Sequence, residues 1–300
     1  MTAASRPRIP AILIGESTQA LIRDVFGRPD LLRDLFQIDR RIVAWGPRAD
    51  PVELPHRAAV ISEDALLVQL GPPRPDGSSP GSADWTVYAS LPQPAPFEEH
   101  AFGSRTASAT AVELKSETSA CWIESLQDGW LFLVPGSSTT GWLISVGGPL
   151  GDMLAQSRLV AQQVHTPAAS GGAFPAHPRI VDPLCAPGWL ACGTAAMAFD
   201  PICGDGTGNA IREAILAAAV IRAAPGGDRE GLLTHYRGRL VAGMMRHLEL
   251  CRTFYLSGNG GPWWKRELAA LDKGIAWCRR TLPGGQFQYR LNGFELEKIG

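Results

Sequence analysis

Trp189-Leu-Ala-Cys192-Gly193-Thr194-Ala-Ala-Met-Ala-Phe-Asp200-Pro201-Ile-Cys203-Gly204-Asp205-Gly206-Thr207-Gly208-Asn209-Ala210 decides how the rest of this chain is read. A short apolar run gives way to a small-residue turn, an Asp-Pro, and glycines at alternate positions, Gly204, Gly206 and Gly208. Ile211, Ile215, Ala218 and Ile221 then recur at helical spacing, which predicts a helix from Gly208 to about Ala224, stopped by Pro225-Gly-Gly. Glycines packed this densely let backbone approach something flat or charged. The helix start behind them offers unpaired N–H donors and a partial positive charge to a ligand oxygen or an anion. Pro201 locks its own φ and holds Asp200 extended, which fixes the loop between the two halves.

Outward from this segment the chain alternates between two periods. Residues 9–26 read as an extended apolar stretch and a helix, with Ser17 or Thr18 as N-cap and Leu21, Ile22, Val25 and Phe26 on one face. Arg40–Gly46 and Pro51–His56 read as strands about a turn at Pro47–Asp50, and Ser62 caps a helix to Leu70. Gly71–Ala83 is rich in Pro, Gly and Ser and reads as a surface loop. From Asp84 to Val146 the pattern has period two. Trp85–Ala89, Ser108–Leu114, Ala120–Leu126, Gly129–Pro135 and Gly141–Val146 are the expected strands, and turns at Gln127-Asp128-Gly129 and Gly136–Thr140 make an antiparallel sheet of them. Met153–Val164 reads as a short helix, residues 229–256 and 262–281 as two longer amphipathic ones, and 282–300 as a loosely held polar tail.

Composition narrows the function classes. Three hundred residues suit one large domain or two interleaved lobes. A net charge of −1 carries no electrostatic footprint for nucleic acid. No apolar run approaches the roughly 18 residues of a membrane span, and Met1-Thr-Ala-Ala-Ser-Arg-Pro-Arg lacks the core of a secretory signal, so the expectation is a cytoplasmic protein. Six cysteines without a Cys-x-x-Cys pair read as reduced packing residues, Cys192 and Cys203 beside the glycine segment included. The six histidines show no metal-ligand spacing.

Gly193-Thr194-Ala-Ala, Asp200-Pro201 and the Gly204–Gly208 run before a helix resemble the second FAD-binding motif of the para-hydroxybenzoate-hydroxylase-like flavoproteins, which include aromatic monooxygenases and flavin-dependent halogenases. Gly15-Glu16-Ser17 before an amphipathic helix resembles a segment that this group carries close to the flavin. Trp122 and Asp128-Gly129-Trp130-Leu-Phe-Leu-Val-Pro135 resemble strands of the group's substrate sheet. The resemblance spans most of residues 9–280. It implies a mixed α/β fold: an incomplete, doubly wound FAD-binding lobe from 9–70 and 178–225, an antiparallel substrate sheet from 84–150, C-terminal helices from 229–281, and a tail. It implies FAD held by Gly193, Thr194, Asp200, Pro201, Gly204, Gly206, Thr207, Gly208, Asn209 and Glu16, in a cavity facing the Trp-rich sheet. The implied activity is an FAD-dependent, monooxygenase-like oxidation of a small aromatic or apolar substrate.

Three departures qualify what the resemblance implies. The group's acidic residue after the first glycine is Thr194, whose hydroxyl makes a weaker bond to a ribityl OH than a carboxylate does. Its first signature, a Gly-x-Gly-x-x-Gly turn with an acidic residue about 20 positions on, has no counterpart in the first sixty residues, so FAD binding is expected to be weak or absent. Its middle Asp-Ala-x-Gly is represented only by Trp85-Thr-Val-Tyr88-Ala89-Ser90-Leu91-Pro92. No lysine matches the halogenases' catalytic one, which favours hydroxylation or another oxidation; catalytic residues are not assigned. The electron source, a flavin reductase or NAD(P)H, is not written in these residues. Two other readings stand beside this one: a non-catalytic binding or assembly protein derived from the flavoprotein fold, and an ordinary domain with a fortuitous glycine turn.

Overall fold

The computed structural model describes residues 8–47, 50–71, 85–91, 93–94, 96–165, 172–282 and 287–299. The loop expected over Gly71–Ala83 lies, Gly71 apart, outside the described residues, as do Arg48 and Ala49 of the expected turn and Pro92 of the middle stretch. The first elements are β1 (Ile12–Gly15), α1 (Glu16–Phe26), β2 (Phe36–Ala44), β3 (Val52–Ile61) and α2 (Glu63–Leu70). β4 (Thr86–Tyr88), β5 (Glu98–Ala101), β6 (Thr106–Glu113), β7 (Ala120–Leu126), β8 (Gly129–Pro135), β9 (Thr140–Gly147) and α3 (Leu150–Gln156) follow. Then come β10 (Ala173–Pro175), β11 (Arg179–Asp182), β12 (Cys185–Ala186), β13 (Trp189–Ala191) and β14 (Met197–Ala198). Three helices, α4 (Gly206–Ala223), α5 (Arg229–Leu256) and α6 (Pro262–Thr281), precede a hairpin of β15 (Tyr289–Asn292) and β16 (Glu295–Lys298).

Eight strands form one curled mixed sheet in the order β1-β3-β2-β7-β8-β9-β6-β10. β7, β8, β9 and β6 pair antiparallel, as alternation over 108–146 predicts. The Asp128-Gly129 turn needs glycine for two reasons: its φ is +149°, and a Cβ there would lie 1.9 Å from the carbonyl oxygen of Val146. β1, β3 and β2 form an antiparallel meander joined to this sheet by parallel pairing of β2 with β7. Every residue of β7 and β8 is buried because both faces are covered. Cys121, Ile123, Trp130 and Phe132 pack with residues of α5 and α6, whereas Trp122, Leu131 and Leu133 pack with Leu150, Met153 and Val160. Glu124, the one carboxylate in β7, accepts the N–H groups of Arg158 at 2.7 Å and Val160 at 3.0 Å, pinning the segment after α3 beneath the sheet.

Three expectations change here. The Trp85 strand does not join the hairpin sheet: β4 runs parallel to β13, Thr86 opposite Trp189 and Tyr88 opposite Ala191. Its branched residues find a partner in the strand that delivers the glycine segment. Two of the large sheet's three tryptophans, Trp122 and Trp130, are core, and Trp142 is half-buried. Trp130 of the sheet and Trp264 of α6 are fully buried, and their indole N–H groups are taken by the Tyr255 hydroxyl (3.3 Å) and the Leu126 carbonyl (2.9 Å). Within the tail, residues 289–298 form a hairpin: β15 and β16 pair in register from Tyr289–Lys298 to Asn292–Glu295, Tyr289 is buried, and Glu295 is ion-paired with Arg222 of α4. Its polar alternation is that of a hairpin with one face in water.

Candidate cofactor site

β13 ends where the glycine segment begins. Cys192 N–H donates to the Tyr88 carbonyl (2.8 Å), and the Thr194 hydroxyl donates to the Ala89 carbonyl (3.2 Å), so the ends of β4 and β13 lie together. Gly193 has φ +54°, and its N–H donates to the buried Glu213 carboxylate of α4 at 2.7 Å. Burial pushes the Glu213 carboxyl up to about 7. Thr194 is exposed beside this joint.

α4 starts at Gly206, two residues before the expected Gly208, and no side chain caps it. Space beside Gly206 is open, with no atom within 4 Å of a Cβ built there. Gly208 is the opposite case: a Cβ would meet Asp205 Oδ1 at 2.2 Å, Thr18 Oγ1 at 2.7 Å and Arg212 Nη1 at 3.0 Å. Those three side chains form a junction, with the Thr18 hydroxyl donating to Asp205 Oδ1 (2.9 Å) and Arg212 to Asp205 Oδ2 (2.8 Å). Thr18 stands in the first turn of α1, so the junction ties the starts of α1 and α4 together. Ser17 and Thr18 lie inside α1, and the Thr18 hydroxyl reaches across to Asp205, so neither caps the helix. The N-cap is Gly15, again without a side-chain bond and with open space around it. Two uncapped helix N-termini therefore converge at one place, each adding partial positive charge and free N–H groups. Glu16 is exposed there and ion-paired with Arg57 at 3.7 Å.

Asp200 faces the other way. It is 2% exposed; one oxygen caps the turn through Ile202 N–H (2.9 Å), and the other accepts Arg105 Nε (2.6 Å) and the Tyr255 hydroxyl (2.9 Å). Arg105, also buried, reaches Glu267 at 2.7 Å and lies 4.7 Å over the Tyr255 ring. Pro201 is the first residue of a short 3-10 turn that Gly204 closes with φ +64°. The Asp-Pro thus holds the glycine loop from beneath and does not open to a cavity.

A cavity of about 390 Å³ lies between α4 and α5. Asn209, Asp205, Arg212 and Glu213 line it with Cys203 and His247; Thr194, Asp200 and Gly206 do not, and it does not face the large sheet. Of the sequence-assigned residues, Gly193 and Thr194 gather at the end of β4, and Gly204–Asn209 with Glu16 at the helix starts. Sequence reasoning missed Thr18, Asp205, Arg212 and Glu213; Thr18 was read only as a cap, and Asp205 lay unread within the glycine run. It also missed that Cys203, His247 and Cys251 bring donor atoms within 4.8 Å of one another. Only the His247–Cys251 spacing of one helical turn was visible beforehand.

No family model and no curated protein matches this sequence. Solved structures match its shape. CndH, the myxobacterial chondrochloren halogenase and a new variant of FAD-dependent halogenases, aligns with TM-score 0.70 at 14% identity, over 85% of this chain and 76% of its own. QhpG, a peptidyl tryptophan dihydroxylase essential for tryptophylquinone cofactor biogenesis, gives 0.67 at 17% identity, over 98% and 79%. CmlS, a flavin-dependent halogenase, gives 0.71 at 14% identity, over 91% and 64%. The chain has the fold of the FAD-dependent halogenases and hydroxylases. At such identities the likeness is one of architecture. Among the described residues no helix is long and apolar enough to cross a membrane.

Proposed function

We propose that this chain is an FAD-dependent oxidoreductase of the monooxygenase-like kind, acting on a small aromatic or apolar substrate. The observation that carries the reading is the Thr18–Asp205–Arg212 junction, which holds two uncapped helix N-termini together beside the open space at Gly15 and Gly206. This donor set fits the electron-rich edge of a flavin ring: unpaired N–H groups, partial positive charge, and glycines where a Cβ would stand in the way. Bound flavin supplies the redox chemistry, and the protein supplies orientation and electrostatics.

The chain's own residues then divide the work. The N–H groups of Gly206, Thr207 and Gly208 would stabilise negative charge on the ring, and Asn209, Gly15 and Glu16 would help to hold it. Gly193 and Thr194, docked on the end of β4, take the ribityl side. Pro201 and Gly204 set the loop, and Asp200 anchors it from the core. Lys115 donates to the Ala161 carbonyl at 3.1 Å and Lys265 is exposed on α6, so neither serves a halogenase-like role, and hydroxylation or another oxidation is favoured. These 300 residues hold no Gly-x-Gly-x-x-Gly turn for the pyrophosphate in their first sixty, so FAD binding by the chain as it stands is expected to be weak. The Thr194 hydroxyl, the degenerate middle stretch and the closed Asp200 favour a second reading, a binding or assembly protein that keeps the flavoprotein fold. Titration with FAD, followed by quenching of flavin fluorescence, separates the two: saturable binding supports the enzyme, and none at millimolar FAD supports the binding protein.

A further inference from the structure

Cys203 and Cys251 come from separate parts of the chain, the 3-10 turn before Gly204 and the C-terminal half of α5. Their sulfurs lie 3.6 Å apart. Cys203 is half-buried and lines the cavity between α4 and α5, whereas Cys251 is completely buried behind it. His247, one turn before Cys251, brings Nε2 to 3.3 Å from the Cys251 sulfur. That nitrogen already accepts the Asp200 N–H at 2.9 Å, so its lone pair is committed and the two sulfurs lack a third ligand for a metal.

The geometry points to a redox-active dithiol: Cys203 takes an oxidising equivalent from a hydroperoxide entering the cavity, and Cys251 resolves it into an internal disulfide. Nothing in this depends on flavin.

The surroundings sort the two sulfurs into these roles. The S–H of Cys251 hydrogen-bonds to Cys203 and holds that thiol below its usual range, outweighing burial. Arg212, Arg239 and Arg246 also line the cavity, together with Asp205, which pairs with Arg212, and Glu213. Cys251 is pushed far up, first by burial and then by the bond it donates. Burial pushes Cys185 and Cys192 up to about 11 and Cys278 up to about 12, so they are inert thiols. In the first step the Cys203 thiolate attacks one peroxide oxygen. The S–O bond forms, the O–O bond breaks, and the departing hydroxide takes a proton to leave as water. In the second, the Cys251 sulfur gives up its proton and attacks the Cys203 sulfenic acid. The S–S bond forms, the S–O bond breaks, and hydroxide leaves with that proton as a second water. Two thiols and one hydrogen peroxide become one disulfide and two waters, the sulfurs losing the two electrons that the peroxide gains. A sulfur–sulfur bond of about 2.05 Å requires the Cys203 turn to close on α5, and the exposed Gly204 that follows it has open space to move into.

The test treats the purified 300-residue protein with one equivalent of hydrogen peroxide, counts free thiols, and maps cross-linked peptides by mass spectrometry. The expected result is loss of two of the six thiols, one Cys203–Cys251 cross-link, and full recovery with dithiothreitol. Cys251→Ser should stop at a sulfenic acid on Cys203 that dimedone traps, and Cys203→Ser should leave Cys251 a thiol. Iodoacetamide at neutral pH should label Cys203 at least tenfold faster than Cys185. A cross-link elsewhere, oxidation spread over all six cysteines, or Cys203 labelling no faster than Cys185 overturns the proposal. So does one equivalent of tightly held zinc lost in both variants, which would make the cluster a metal site. If the serine variants do not fold, the wild-type cross-link map and labelling rates decide alone.

Discussion

Asp200 and Asp205 stand five residues apart in one glycine-rich segment, each paired with an arginine, and they do opposite things. Asp200 is buried with Arg105, Tyr255 and Glu267 in a network whose ion-paired side chains are almost wholly withdrawn from water. The Asp205 and Arg212 side chains are 43% and 47% exposed, and they join the starts of two helices around open space. A buried pair holds its partners because breaking it strands a charge, whereas an exposed pair contributes little stability and leaves its groups free to meet a ligand. The segment is thus a buried anchor at its Asp-Pro and an exposed, uncapped helix start at its glycines.

The contrast breaks first at Asp200. Asp200→Ala leaves the Arg105 guanidinium buried with Glu267 alone, and Arg105 Nη2 already has no partner. The expected loss is about 3–5 kcal/mol, read as a lower denaturant midpoint. A loss under about 1 kcal/mol would mean that the network is not holding the loop.

Glu213 sharpens the picture between the two regions. Its carboxyl is held near 7 against an ordinary 4.5, so between those values the native state keeps a proton that the unfolded state has lost. Stability should therefore fall as pH rises from 4.5 to 7, by about 3 kcal/mol in all, and Glu213→Gln should flatten that slope. Unfolding midpoints of both proteins across this range test it; parallel curves would show that Glu213 is ionised in the fold.

The smallest effect on stability belongs to the exposed end. Asp205→Ala should cost no more than about 1 kcal/mol, yet release α1 from α4 and weaken flavin binding about tenfold. Equal thermal midpoints with unequal FAD titrations are the expected pattern. A stability loss matching that of Asp200→Ala would erase the distinction.

Much of this was legible in the sequence where the physics is local. Alternation over 108–146, the Asp128-Gly129 turn, the Ser62 cap and the three long helices all depend on near neighbours, and the structure has each of them. What sequence could not supply are partners distant in the chain. Thr18 has the composition of a cap, but its hydroxyl is used by Asp205, 187 residues away. Asp200 has the motif of a cofactor loop, but its charge is answered by Arg105, 95 residues back. The indoles of Trp130 and Trp264 could equally have lined a pocket; only the packing of α5 and α6 over the sheet makes them core. The glycines marked where a candidate site could lie, while the split between buried anchor and exposed junction was set by tertiary contacts.

The most direct test of the central claim compares FAD titrations of the 300-residue chain and of Gly206→Val, with thermal unfolding of both as control. Gly206 begins α4 beside open space, so valine adds bulk where the ring edge is expected and disturbs no packed neighbour. The expected result is weak, saturable binding by the parent, at least tenfold weaker binding by the variant, and melting temperatures within a few degrees of each other. Equal affinity in the two proteins, or no binding by the parent at millimolar FAD, would contradict it.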